Sequence, residues 1–296
     1  MDQFLNKVLD NIAIVAIAGD KHPAYTSVEN FWHFCCNAYI SYSNINDALD
    51  WIEADQKCTK PCSQCVTYRV FIKTGIYLNN TSRYRNYSDA NCKIELIGST
   101  NGATIFTSGS NTKKEDTNEI EMKPIGKCSG IDFNLVMPSN LVLANIVFEN
   151  IDCALTTERY NCKTKLNVIN CVFNKSMLTC HGICNVSISG CYFSATNAIV
   201  ISDSNNCSAY SVANCMFDDC DVCCDFTFNN KSTNVIFESN DVSDSSTLMQ
   251  LTDCDDSIIL IQKNNIDNIV NNIINANSNC VSTVIMNDNN FSNIRL

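Results

Sequence analysis

Apolar residues in the C-terminal half of the chain recur in one eight-residue pattern, apolar-x-apolar-x-x-(Cys/Asn)-x-apolar, with Ile at the sixth position in the first copy. The seven copies are Leu141–Phe148, Leu166–Phe173, Val186–Phe193, Tyr210–Phe217, Val235–Val242, Ile259–Ile266 and Val284–Phe291. Their last residues fall at 148, 173, 193, 217, 242, 266 and 291, so the steps are 25, 20, 24, 25, 24 and 25. A unit this short cannot bury its apolar face alone, and a period in this range predicts a solenoid whose repeats stack on their neighbours. Within each copy the first apolar positions alternate at period 2, and the residues are mostly Val, Ile, Leu, Phe and Tyr. Both features predict strand.

No window in 140–296 carries a convincing helical period, which argues against two-helix repeats. Leucine-rich repeats share the period, but their strict leucine spacing is missing and Leu is scarce here. A repeat of about 24 residues suits one coil of a parallel β-helix, with two or three short strands joined by turns. Like positions then form columns. The sixth motif position reads Ile146, Cys171, Cys191, Cys215, Asn240, Asn264, Asn289. Cys serves there as a small hydrophobe, and a column of Asn amides can satisfy itself along the stack. The last motif position gives a second column, Phe148, Phe173, Phe193, Phe217, Val242, Ile266 and Phe291. Burying each such side chain contributes about 2–3 kcal/mol, and Phe217→Asp would cost more by placing an unpaired charge inside.

Upstream, Asn44–Ile52 puts Ile45, Ala48, Leu49 and Ile52 on one helical face, with Asn44 or Asn46 as N-cap. Strand patterns follow at Tyr68–Tyr77, Lys93–Gly98 and Ala103–Phe106. A helix followed by VFIKTGIY and IELIGSTNGATI resembles the opening of pectate-lyase-like right-handed β-helix proteins. The resemblance implies an all-β, right-handed parallel β-helix over 44–296 whose first coil is plugged by the helix, protecting an otherwise open edge. Residues 1–43 then form an N-terminal arm containing the short apolar patch Ile12–Ala18. Its aromatic group, Phe31, Trp32, Phe34, Tyr39 and Tyr42, either covers the first coil or docks on a partner. Thr107–Lys127, polar and of mixed charge, reads as a loop leaving the rod.

Composition narrows the functions. The net charge is −11, and only seven Lys or Arg lie in 140–296 without clustering, which disfavours nucleic acid as a partner. No apolar run approaches the length of a membrane span. The chain has 20 Cys, but several sit on the ladder, and Cys35-Cys36 and Cys223-Cys224 are adjacent pairs that suit bridging poorly. Sequons at Asn185 and Asn290 fall inside expected strands. Together these predict folding in a reducing cytosol or nucleus. The 42 Asn against nine Gly point to an AT-rich genome, common in viruses.

Candidate chemistry is sparse. Asp218-Asp219 is the best carboxylate pair, with Asp203, Asp221, Asp225, Asp241 and Asp244 nearby in sequence; adjacent carboxylates at a motif end more often occupy a solvated turn. His181-Gly182 resembles the His-Gly element of polygalacturonases, but it precedes the Asp pair instead of following it. Cys58, Cys62 and Cys65 have metal-like spacing, with Cys92 or a distant His as a fourth ligand, against a loop of free or locally bridged thiols. No cofactor is expected.

The phrases NCVF, GCYF and NCMFDDC, with YRVFIKTGIY and IELIGSTNGATIF, resemble the large early-region-1B antigens of adenoviruses. They are more similar still to the hexon-interlacing proteins of atadenoviruses. The resemblance spans roughly 44–296 and implies a non-enzymatic homotrimer on the virion exterior that cements hexons, assembled in the host nucleus, with no catalytic residue to carry over. Apolar residues expected on the outside, Tyr192, Met216 and Met249, would let rods pack side by side. Two other expectations stand beside it: a polysaccharide-active hydrolase or lyase, and a viral regulatory protein that binds host factors.

Overall fold

The computed structural model describes residues 14–18, 40–42, 45–58, 66–72, 74–78, 92–107, 133–136, 138–157, 164–203, 208–228, 233–277 and 280–294. Each eight-residue motif turns one corner of a coil. Leu166 and Val168 point inward from the strand Lys165–Ile169, Asn170 makes the bend, Cys171 fills the corner, and Phe173 points inward from the strand Val172–Asn174. A third strand, such as Leu178–His181, closes the coil before the next begins. Like strands of successive coils pair in parallel and build three sheets of eleven, nine and seven strands, two of the eleven being added antiparallel at one edge. The chain is a right-handed parallel β-helix, the hand that parallel crossovers almost always take.

Residues at positive φ make most of the corners. One column reads Asn145, Asn170, Gly190, Asn214, Ser239, Lys263 and Asp288, and a second reads Asn150, Lys175, Asp219, Asp244, Asn268 and Asn293. Their non-glycine φ values lie between 49° and 56°. Left-handed backbone costs roughly 1–2 kcal/mol for most residues and less for Asn and Asp. Six of the Asn residues, Asn145, Asn150, Asn170, Asn214, Asn268 and Asn293, are used in this way.

Inside, the ladder column is continuous. The Cys171 N–H donates to Cys191 Sγ at 3.4 Å, and the Cys215 N–H to Asn240 Oδ1 at 2.8 Å. Asn240 Nδ2 donates back to Val212 O at 3.0 Å and forward to Asn264 Oδ1 at 3.1 Å. Asn264 repeats the scheme with Phe237 O at 2.9 Å and Asn289 Oδ1 at 2.9 Å, so each amide ties three coils together. Beside it, Phe148, Phe173, Phe193 and Phe217 stack with ring centroids 4.9–5.0 Å apart. The aromatic file starts earlier than the motifs do, since Tyr77 and Phe106 pair in register below Phe148. Val242 and Ile266 continue it, buried. Phe291, expected in the core, is 39% exposed because no described coil lies over it.

The helix runs Ile45–Cys58, longer than its apolar face requires, with Asp47 in its first turn favouring the helix dipole. Ile45, Ala48, Leu49 and Ile52 are buried against the first coil, and Trp51 meets Tyr68 edge-on at 6.1 Å. Two pieces of the 1–43 segment are described. Ile14–Ala18 and Ile40–Tyr42 are strands that pair with each other antiparallel, and Ile14–Ala18 pairs antiparallel with Val66–Ile72. Phe31, Trp32, Phe34 and Tyr39 lie outside the described residues, as does most of the 107–127 loop.

Candidate interaction surface

Because ladder, Phe file and corners hold every coil in one register, outward side chains also fall into straight columns. On the nine-stranded sheet, Ile76, Ile105, Val147, Val172, Tyr192 and Met216 are consecutive register partners. All point outward, with Ile76 61% and Met216 48% exposed. At the ~4.8 Å spacing of paired strands the six form an apolar stripe about 24 Å long. Beyond Met216 the column turns polar at Asp241, Asn265 and Asn290.

The neighbouring column on that face is polar and tied to itself and to the stripe. Asn174 Nδ2 donates to Glu149 Oε1 at 3.4 Å, Tyr192 Oη to Asp218 Oδ2 at 3.2 Å, and Ser243 Oγ to Asp218 Oδ1 at 3.0 Å. Ser292 Oγ donates to Asp267 Oδ1 at 2.7 Å, and this bond with that from Asn293 holds the Asp267 carboxyl below its usual range. The stripe thus has a rigid, hydrogen-bonded border on one side.

The other two walls differ. The outer face of the eleven-stranded sheet dips over the small residues Ser187, Ala209 and Ser211, making an open depression of about 230 Å³ beside Lys165 and Ile236. The seven-stranded sheet presents the column Thr156, His181, Ser202, Thr227, Thr252, with His181 Nδ1 bonded to Ser202 Oγ. Alongside stand Thr179, Val200, Asp225 and Gln250, where partial burial raises the Asp225 carboxyl.

The carboxylates singled out by sequence are scattered over this surface. Asp218 and Asp241 lie on the nine-stranded sheet, Asp225 on the seven-stranded one, and Asp219 and Asp244 at corners. Both oxygens of Asp218 already accept hydroxyl protons, and its neighbour Asp219 sits on the corner at φ 52°. His181 stands on a different wall from Asp218. The side chains of Asp203, Cys58, Cys62 and Cys65 lie outside the described residues. Among those described, no three His, Cys, Asp or Glu side chains are placed to hold a metal ion.

One expected outward residue points the other way. Met249 is fully buried, because three strands of the seven-stranded sheet carry two consecutive inward residues near their start: Ala198-Ile199, Cys223-Cys224 and Leu248-Met249. The twelve cysteines with described side chains are free, and eleven are buried. Burial pushes the Cys180 and Cys254 thiols up to about 12. Cys191 reaches the same value, through its hydrogen bond with Cys171 first and burial second. Cys220, bonded to Cys223, moves down instead. No protein-family model, curated protein or solved structure matches the chain.

Proposed function

We propose that the chain is a non-enzymatic viral structural protein: a shaft that associates side by side into a homotrimer and sits on a capsid exterior, cementing hexons. The observation that carries the assembly role is the six-coil apolar stripe on the nine-stranded sheet. A stripe this straight, on a wall held rigid by interior ladders, matches a partner with the same ~4.8 Å repeat better than a flexible peptide. Another shaft of the same kind supplies that repeat. The virion setting is supported by the resemblance of the ladder phrases to the hexon-interlacing and early-region-1B families.

Two measurements test the reading. Light scattering after size exclusion is expected to give the mass of three chains for wild type. Met216→Glu combined with Val172→Lys, both on the outer face, should lower that mass without lowering thermal stability; a wild-type monomer at micromolar concentration refutes the trimer. Purified particles are expected to contain the protein in fixed ratio to the major capsid protein, and its absence from them refutes the cement role. A nuclear complex with host proteins and no particle association would favour the regulatory reading instead.

A further inference from the structure

Two outward columns flank the bend that Asn145, Asn170, Gly190 and Asn214 make between the eleven-stranded and nine-stranded sheets. One is the apolar stripe. The other is the last outward position of each strand in the eleven-stranded sheet, which reads Ile97, Ala144, Ile169, Ser189 and Ala213 in register. Ile169 is 38% exposed. This second column carries no charge through Ala213 and then turns to Glu238, Gln262 and Asn287. The stripe turns polar at the same coil, where Asp241 follows Met216. Two different walls change character together, which marks a single surface wrapped round the bend.

Size is matched across that bend. Tyr192 and Met216 are the bulkiest members of the stripe from Val147 onward, and the residues across from them, Ser189 and Ala213, are small. Where the second column is large, at Ile169, the stripe has only Val172. The bend itself can be buried without orphaning a donor. The N–H groups of Asn145, Asn170, Gly190 and Asn214 each donate to a carbonyl of the next coil, at 2.9–3.2 Å. Gly190 has no side chain, and the Asn170 amide lies over it, with Oδ1 2.4 Å from where a Cβ would stand. The bend is therefore slim beside Tyr192.

We infer that the three-fold axis of the assembly runs along this bend, the Ile169–Ala213 margin of one copy covering the Val172–Met216 part of the stripe on the next. The inference rests on the homotrimer proposed above and adds its second face and its axis. A closed ring of three uses two different faces of each copy, because every contact in it is heterologous. Rotation about an axis parallel to the shaft leaves each coil at its own height. Ala213 of one copy then meets Met216 of the next, and Ser189 meets Tyr192, so small sits against large at both coils. A two-fold pairing of stripes across the shaft would reverse the heights and leave the Ile97–Ala213 column uncovered. Beyond Met216 both margins are polar, and Glu238 is already bonded to Lys263 at 3.0 Å. The contact ends there.

The test uses the 296-residue chain. Ala213→Arg, on the wall away from the stripe, is expected to drop the light-scattering mass from three chains to one with an unchanged melting temperature. Thr227→Arg, outward on the seven-stranded sheet, should leave three. Chains carrying Ala213→Cys and chains carrying Met216→Cys, differently tagged and coexpressed, should form a disulfide that holds both tags on mild oxidation with oxidised glutathione. Neither variant expressed alone should do so, because a disulfide needs Cα atoms within about 7 Å. A trimer that survives Ala213→Arg, or an absence of the mixed disulfide from a trimeric mixture, overturns this inference and leaves the homotrimer standing. Wild type that is monomeric overturns both.

Discussion

Asn264→Ala isolates the amide ladder. In the wild type this side chain accepts from the Asn240 N–H at 2.8 Å and Asn240 Nδ2 at 3.1 Å, and donates to Phe237 O and Asn289 Oδ1, both at 2.9 Å. Alanine removes all four bonds and strands two donors of Asn240, which is 1% exposed. A buried donor left without a partner costs about 1–3 kcal/mol, so the change should cost about 4 kcal/mol locally. In a nearest-neighbour stack the loss concentrates in the adjoining coils. Native-state hydrogen exchange of the Asn240 amide should accelerate by about a thousandfold, while amides around Leu143 change little. Asn264→Cys should cost much less, because a thiol can accept the N–H as Cys191 Sγ does from Cys171. Asn240→Ala/Asn264→Ala should cost less than the two single changes summed, since one orphan pair disappears. If Asn264→Ala speeds the Asn240 amide less than tenfold, the ladder is not what holds these coils together.

Other expectations follow from the same columns. Phe193→Ala removes a ring stacked at 4.9 and 5.0 Å on its neighbours and should destabilise by about 3–5 kcal/mol in urea unfolding; Tyr192→Ala, one position away and outward, should cost far less. Gly98→Ala would place a Cβ 2.1 Å from the Asn145 carbonyl oxygen, so this variant should melt well below wild type, and an unchanged melting temperature would contradict the close approach. Alkaline pH should unfold the chain. Cys180, Cys191 and Cys254 hold their protons to about 12 when folded but titrate near 8.5 when unfolded. Their contribution is complete below the unfolded value and is lost as pH rises toward 12, at about 1.4 kcal/mol per pH unit for each thiol. A melting temperature that stays flat on raising pH from 8 to about 10.5 would refute this.

Two interior columns were legible because a solenoid writes each of them once per period. The Cys-to-Asn change at the sixth motif position marks a site where a thiol and an amide can both accept a backbone N–H from the coil below. Met249 was misplaced because strict alternation fails in the strands Asn197–Asp203, Val222–Phe228 and Thr247–Thr252, which carry two consecutive inward residues, a phase shift that period-2 reading cannot see. The stripe from Ile76 to Met216 was only glimpsed at Tyr192 and Met216. Its members stand one residue before each inward anchor and show as a column only once coils are superposed. The Asn content was read as genome composition alone, although Asn145, Asn170 and Asn214 each stand immediately before a ladder residue, a place that pointed to left-handed backbone. The dispersal of the Asp218–Asp244 carboxylates over two walls and the corners between them needed the path of the chain, because neighbours in sequence diverge wherever a coil turns.

The sheet hydrogen bonds run along the shaft, each coil hanging from the one before. Pulled from its two ends, such a shaft carries the full tension across a single junction at a time and should give way like a zip. Each rupture would release one coil of roughly 24 residues, about 80 Å of extended chain, in a sawtooth of nearly equal teeth. The object is stiff against sideways load yet extensible end to end, and can absorb a sudden strain by shedding coils in sequence.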